Sequence, residues 1–533
     1  MKINSATRAQ ITASDARFSS WLTANAGSGK TKVLIDRVAR LLLDGVQPEQ
    51  ILCLTYTKSA AAEMKNRLFD RLGKWAMLAD QELNFSLLEM GIQTQLGTEE
   101  LKKARTLFAR AIEAPGGLKI QTIHAFCSSL LRKFPLEAGI SPQFGELTER
   151  GQRDLYLKVL EILSADEATE ESFEHFSKIA NASNWEETVS KIVSKRNVFS
   201  KSKSRAEIYE AFSVSCEVSI EDDISSHFQN GTLSFLKKIS KCLQRSTSKA
   251  DQKISKELSK ISSIDLISLQ LLEKIFLYSK TAKAPFTAKL GKFSTKEMRN
   301  GLLADYIDEI DDFMVRLETF RNKRLSYLAA ETSFSIHKFA SAFLQVYTEQ
   351  KNFKGLLDFD DLINIAVNLL TTSAVADWVL YRLDGGIDHI LVDEAQDTSP
   401  SQWKVIETLA QELTSGQGIQ ANRSRTIFVV GDQKQSIYSF QGADPGQFDR
   451  VRDSFSAKLK GAEKTLQVAS LDYSFRSSKT ILALVDKIYE NAGGEGFGWG
   501  RKHLAFKSEL PGRIDLWPII PKKVNPNLSK WEE

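Results

Sequence analysis

The sequence predicts an α/β fold, a parallel sheet layered between helices and interrupted by a mostly helical insertion. Three observations predict it. Four segments, "FSSWLTANAGSGKT", "ILCLTYTKSAAAEMKNRL", "HILVDEAQD" and "TIFVVGDQKQS", are apolar, β-prone runs that end abruptly in polar residues. Unbroken apolar runs of this length read as strands buried on both faces, as in a parallel sheet covered by helices. In open α/β sheets ligands sit beyond the carboxyl ends of the strands, and the polar residues cluster at those ends. Between about residues 146 and 350 the character changes: strand-like runs become scarce, and helical periodicity with Lys, Ser and Glu takes over. Within it, "SKCLQRSTSKADQKISKELSKISS" (240–263) is nearly low-complexity and reads as a solvated helix or a flexible connection. Strand grammar resumes near "LLDFDDLINIAVNLL".

The bulk properties narrow the class. At 533 residues, 42% hydrophobic and 26% charged, the chain has an ordinary globular balance, and its length admits roughly three or four domains. A net charge of +4 permits a polyanionic partner without demanding one. The four cysteines, Cys53, Cys127, Cys216 and Cys242, show no C-x-x-C spacing, and the six histidines form no metal box. Buried thiols in a reducing compartment are expected. The first residues, "MKINSATRAQITASD", lack the apolar core of a signal peptide, and no apolar run approaches the roughly 18 residues that cross a bilayer. The expectation is a cytoplasmic protein with no membrane partner.

The first polar strand end, "TANAGSGKTK", is close to the phosphate-loop pattern G-x-x-x-x-G-K-[ST], with Ala24 in place of the first glycine. That position mainly turns the chain, which a small residue does when φ stays negative. The loop Ala24, Asn25, Ala26, Gly27, Ser28, Gly29 is expected to cradle phosphates with its amides at the start of a helix. Lys30 would reach the β- and γ-phosphates, and the Thr31 hydroxyl would hold Mg²⁺. A bare Asp-Glu pair is usually a solvated turn. Downstream of such a loop, however, Asp393 reads as a metal-organising carboxylate and Glu394 as the base for an attacking water. Gln435 in "VVGDQKQSIYSFQGAD" is placed to sense the γ-phosphate. Arg476 in "LDYSFRSS" reads as an arginine finger or, equally, as a surface arginine. Aromatic stripes are more often core than ligand platforms. Yet Tyr438 and Phe440 lie in a Gly- and Gln-rich stretch, where stacking on single-stranded bases is the sharper reading. Tyr56 and Thr57 in "LTYTKSA", and His124 and Phe126 in "QTIHAFC", follow the same logic.

Taken in order, these segments resemble the superfamily 1 helicases of the UvrD/Rep type. The resemblance covers Gln10 (motif Q) and residues 24–31 (I), 54–68 (Ia), 121–127 (Ib), 393–397 (II), 428–444 (III) and 471–477 (IV). In finer detail "DEAQDTSPSQWKVIETL", "GDQKQSIYSFQGADP" and "LDFDDLI" look most like the AddA helicase–nucleases of bacterial double-strand-break repair, in their alphaproteobacterial form.

The resemblance implies RecA-like domains: 1A over 1–145 and 352–460, a helical insertion 1B over 146–351, and the start of 2A over 461–533. It implies ATP and Mg²⁺ as cofactors. Gln10 would read the adenine and Phe475 would stack on it, where the family usually has tyrosine. Lys30, Glu394, Gln435 and Arg476 would serve the γ-phosphate, while Tyr56, Thr57, His124, Phe126, Tyr438 and Phe440 would face DNA. Gln441 and Ser474 stand where relatives commonly have arginine and asparagine. The implied partners are single-stranded DNA, duplex ends and an AddB-like helicase–nuclease protein, and 3′-to-5′ unwinding is the implied activity. Motifs V and VI and the nuclease domain of such proteins are not in this sequence, so a chain that binds Mg-ATP but unwinds poorly is expected. A different UvrD- or RecB-like helicase, and a DNA-binding scaffold without turnover, remain open at this point.

Overall fold

The computed structural model describes residues 5–92, 97–115, 117–179, 184–228, 231–384, 386–411, 424–439, 442–491 and 502–520. They divide into two compact units, 1–147 with 355–533, and 148–354.

The first unit is built on a six-stranded sheet. Its strands are β1 (Ser19–Ala24), β2 (Ile51–Thr55), β3 (Lys119–Thr122), β6 (His389–Val392), β7 (Thr426–Gly431) and β8 (Leu466–Leu471), in spatial order β3-β2-β6-β7-β1-β8. Every pairing in it is parallel. A two-residue parallel pair, β4 (Gly145–Glu146) with β5 (Leu356–Leu357), marks where the chain leaves this unit and returns. Strands β2, β6 and β7 are buried along their whole length, as their unbroken apolar runs require.

Alternation along each strand feeds two cores. Leu52, Leu54, Ile390, Val392, Ile427 and Val429 face helices Ile123–Lys133, Phe359–Thr371, Pro400–Leu409 and Pro445–Gly461. Ile51, Cys53, Leu391, Phe428 and Val430 face α2 (Lys30–Leu43), α3 (Lys58–Met77) and helix Thr98–Glu113. At the centre of the first core Trp21 stacks on Trp403 with ring centroids 5.8 Å apart. The amino ends of the strands carry a buried polar cluster. Arg37 of α2 donates to the Asp15 and Phe18 carbonyls and to Thr426 Oγ1, and burial pushes its pKa down to about 9. The His389 ring meets the same Thr426 hydroxyl at 2.9 Å.

One expectation changes. The sheet does not stop at residue 460: β8 pairs with β1 from Ser19↔Leu466 to Ala24↔Leu471, because β1 would otherwise be an uncovered edge. Of the two readings of 240–263, the structure takes the helix and not the flexible connection. Helices Thr232–Gln244 and Lys249–Leu258 pack as a hairpin in the second unit, where the Ser240 and Ser255 hydroxyls donate to each other's backbone carbonyls at 2.9 and 2.7 Å. Ser240, Ser246 and Ser255 are buried in this close approach, while Thr247, Ser259, Ser262 and Ser263 face solvent. The spine of that unit is a 48-residue helix, Ile307–Lys354. Its Phe313, Met314, Leu317 and Phe320 fill a core with the hairpin, and Arg324 grips Glu273 through two 2.8 Å bonds. Among the described residues no single helix is long and apolar enough to cross a membrane.

Burial, and then the charge of Arg37, push the His389 pKa down to about 4. The unfolded chain takes a proton below about pH 6.5, and the buried ring refuses it until about pH 4, so stability falls as pH drops through that window. His389→Asn is expected to lose about 2 kcal/mol less than the parent chain between pH 7 and pH 5 in urea unfolding. Parallel pH profiles for the two proteins would refute this.

Candidate functional site

Three neighbouring strands, β6, β7 and β1, end side by side, and the functional side chains leave from those ends. Beyond β1 the loop Asn25–Gly29 turns into α2. Gly27 (φ 72°) and Gly29 (φ 85°) both take left-handed conformations, which let the chain turn from β1 into the helix start. Ala24 ends β1 buried and extended, so the missing first glycine costs the loop nothing. The Ser28 hydroxyl is buried at the loop centre, with no hydrogen-bond partner among the described residues.

Gln10 of α1 (Ser5–Ala13) lies against this loop. Its amide donates to the Ser28 carbonyl at 2.9 Å and accepts from Lys32 Nζ at 3.2 Å. Both ends of the carboxamide are thus turned to the protein, and the residue is 4% exposed.

Lys30 Nζ, nearly buried, donates to Glu394 Oε2 at 2.8 Å, joining the phosphate loop to the end of β6. Glu394 sits at φ 49°, ψ 44°, a left-handed conformation that costs a non-glycine residue about 1–2 kcal/mol. Its carboxylate is held from two sides, by Lys30 and by the Gln396 amide at 2.8 Å. Gln396 also donates to Asp397 at 3.1 Å and accepts from the Asp432 backbone N–H at 2.9 Å, so it ties the end of β6 to the end of β7. This glutamine was not among the expected site residues, although its place between Glu394 and Asp397 in "DEAQD" was the available signal.

Burial and the charge of Glu394 push Asp393 up to about 7 and Asp397 up to about 6. Three carboxylates gathered around the Lys30 ammonium make this a site that favours added positive charge. The hard oxygen donors Thr31 and Asp393 are those a magnesium ion takes, and such a cation would offset the cost of keeping Asp393 ionised when buried.

The other predicted residues divide. Tyr56, after β2, and Tyr438, after β7, meet with ring centroids 4.5 Å apart and form one aromatic surface. Thr57 caps α3, its hydroxyl accepting from Ala60 N at 3.1 Å. His124 packs edge-on against the half-exposed Phe359 at 5.2 Å, and burial lowers its pKa. Phe126 does not belong with them. It is 5% exposed and sits in the core under the sheet, because helix Ile123–Lys133 turns Ile123, Phe126, Cys127 and Leu130 inward at helical spacing. Phe440 and Gln441 lie outside the described residues.

Gln435 turns to the Asp432 carboxylate, donating at 2.6 Å. The segment after β8 closes over the loop: Phe475 N donates to the Gly27 carbonyl at 2.8 Å, and Asn25 N donates to the Leu471 carbonyl at 3.1 Å. Phe475 is partly exposed and touches Phe506 at 4.5 Å, and Arg476 is exposed beside the loop.

The profile of the UvrD/REP helicase N-terminal domain matches residues 3–456. An ATP-dependent helicase/nuclease protein of Lactobacillus acidophilus is 24% identical over 515 residues, 90% of this chain and 39% of that protein. The protein of the same name from Enterococcus faecalis is 26% identical, covering 90% of this chain and 37% of its own length. The exonuclease/helicase protein RexA of Lactococcus lactis is 23% identical, covering 94% and 41%. The chain thus spans about two fifths of the length of these curated relatives.

At Gly27 a Cβ would lie 2.7 Å from Arg476 Cβ and 2.9 Å from Ser474 Oγ, at a φ that side chains avoid. Gly27→Ala is therefore expected to lift residues 474–476 off the loop and to lower stability by about 1–3 kcal/mol in thermal or urea unfolding. An unchanged midpoint would show that this segment does not press on the loop.

Proposed function

The chain belongs to the UvrD/REP helicase family, and we propose that it carries the ATP-binding motor of a 3′-to-5′ DNA helicase in a helicase–nuclease of double-strand-break repair. The observation that carries this reading is the Lys30–Glu394 ion pair at 2.8 Å, which joins a phosphate loop to a catalytic-type carboxylate. The Tyr56–Tyr438 pair, set at the ends of β2 and β7 of the same sheet, supports it. The relatives' names speak of components of helicase/nucleases, which favours DNA as the polymer and an AddB-like protein as the partner.

The chemistry follows from the side chains. Lys30 exchanges the Glu394 carboxylate for the β- and γ-phosphate oxygens of ATP, where an ammonium neutralises charge that builds as the phosphoryl group transfers. Glu394, released from Lys30 but still held by Gln396, takes a proton from the water that attacks the γ-phosphorus. The bond from that phosphorus to the β-bridging oxygen breaks, leaving ADP and phosphate. Thr31 and Asp393 would hold Mg²⁺, whose contribution is further neutralisation of the phosphates. Phe475 stacks on the adenine. Gln10 serves the base only by leaving Ser28 and Lys32, and otherwise props the loop. Arg476, exposed beside Gly27, meets the γ-phosphate. Gln435 reaches the γ-phosphate by leaving Asp432. Because Gln396 bonds both Glu394 and the backbone of Asp432, a change at the γ-phosphate is passed to the β7 end and thus toward Tyr438. Tyr56 and Tyr438 stack on bases of single-stranded DNA, with Thr57 and His124 on the flanking strand ends.

ATP hydrolysis measured with and without a single-stranded oligonucleotide tests the reading. The parent chain is expected to turn over faster with DNA. Lys30→Ala should lose turnover by on the order of a hundredfold or more, and Glu394→Gln by a similar factor while still binding Mg-ATP. Turnover that survives Lys30→Ala would place the chemistry elsewhere, and nucleotide binding without turnover in the parent chain would favour a scaffold.

A further inference from the structure

We propose that Lys434 is a second phosphate-binding cation of this site, meeting the terminal phosphate of a nucleoside triphosphate from the β7 side. The inference rests on the nucleotide-site reading above and adds a residue to it. Register places the lysine. Thr23 of β1 lies opposite Gly431 of β7, so the residues that follow Gly431 run beside the opening of the phosphate loop. There the Asp432 carboxylate accepts from the Lys434 backbone N–H at 3.1 Å and fixes the turn Gln433–Gln435. That turn sends the half-buried Lys434 side chain back across to the loop, where Nζ donates to Asn25 Oδ1 at 3.4 Å.

The receiving group is itself fixed. Asn25 donates its backbone N–H to the Leu471 carbonyl at 3.1 Å and its side-chain amide to the Asp472 carbonyl at 3.5 Å. An ammonium that already reaches the loop gains a charge-assisted bond of roughly 2.7–2.9 Å when a phosphate oxygen is seated there. The position is right as well. In the sheet β7 lies between β1 and β6, and the Lys30–Glu394 pair bridges from the β1 loop to β6 across the end of β7. Lys434 leaves that same end. A phosphate chain seated in the loop thus lies within reach of the β7 end, where Lys434 joins the Lys30–Glu394 pair. Gln435, the neighbour expected to do this, spends its amide on Asp432 at 2.6 Å.

The test compares two nucleotides on the full chain by calorimetry with Mg²⁺: ADP, and the non-hydrolysable triphosphate AMP-PNP. Lys434→Ala is expected to weaken AMP-PNP by roughly ten- to a hundredfold while ADP affinity stays within about twofold, and Lys434→Arg is expected to restore part of the loss. ADP binding itself reports that each variant is folded. Equal losses for both nucleotides would make Lys434 a support of the loop and overturn the proposal, as would unchanged AMP-PNP affinity. A parent chain that bound neither nucleotide would overturn the nucleotide site and the role of Lys434 with it, whereas parent binding with an indifferent Lys434→Ala would overturn Lys434 alone.

Discussion

Everything in the candidate site depends on the parallel pairing of β7 with β1 on one side and β6 on the other. Parallel strands end at the same edge, so this pairing brings the phosphate loop, the Asp393–Glu394 turn and the Asp432–Lys434 turn into one row. No local feature of those segments does so. The strands are tied by their burial on both faces, where an unpaired backbone amide would have neither water nor a partner. The polar chemistry at one edge is therefore held in place by an apolar core on both sides of the sheet.

Within the row, charge sets the arrangement. Asp393, Glu394 and Asp397 crowd together, and Lys30 balances them through its ion pair with Glu394. Gln396 settles the geometry by donating to two of the carboxylates and accepting from the neighbouring strand end. A neutral side chain suits this role, since another charge would have to be compensated in turn. Glu394 stays in its unfavourable backbone conformation because the bonds from both sides leave it nowhere better to go.

The parts of the site that were legible in the sequence are those whose chemistry is local. A glycine-rich turn between a strand and a helix, or two acids after an apolar run, carries its geometry in a few adjacent residues. What was not legible needs the third dimension. Gln396 becomes a hub only once β7 is known to lie beside β6. Gln10 faces the Ser28 carbonyl because α1 packs there, which no spacing reveals. Phe126 is different, because its inward stripe with Ile123, Cys127 and Leu130 is a plain helical pattern that outweighs proximity to a strand end. In 240–263 the helix was legible but not the burial of Ser240 and Ser255, because small polar residues suit solvent and close helix packing equally well and only the partner helix decides.

The order of the strands along the chain also bears on how this protein comes into being. β1, which carries the phosphate loop, has β7 and β8 as its neighbours, and both emerge from the ribosome more than 400 residues later. Until then β1 waits for both of its neighbours in the sheet, while β2 can pair with β3 early. The unit at 148–354, compact in its own right, is synthesised whole in the interval. Assembly therefore runs inside out, with the inserted helices complete while the sheet that interrupts itself for them is still waiting for its middle.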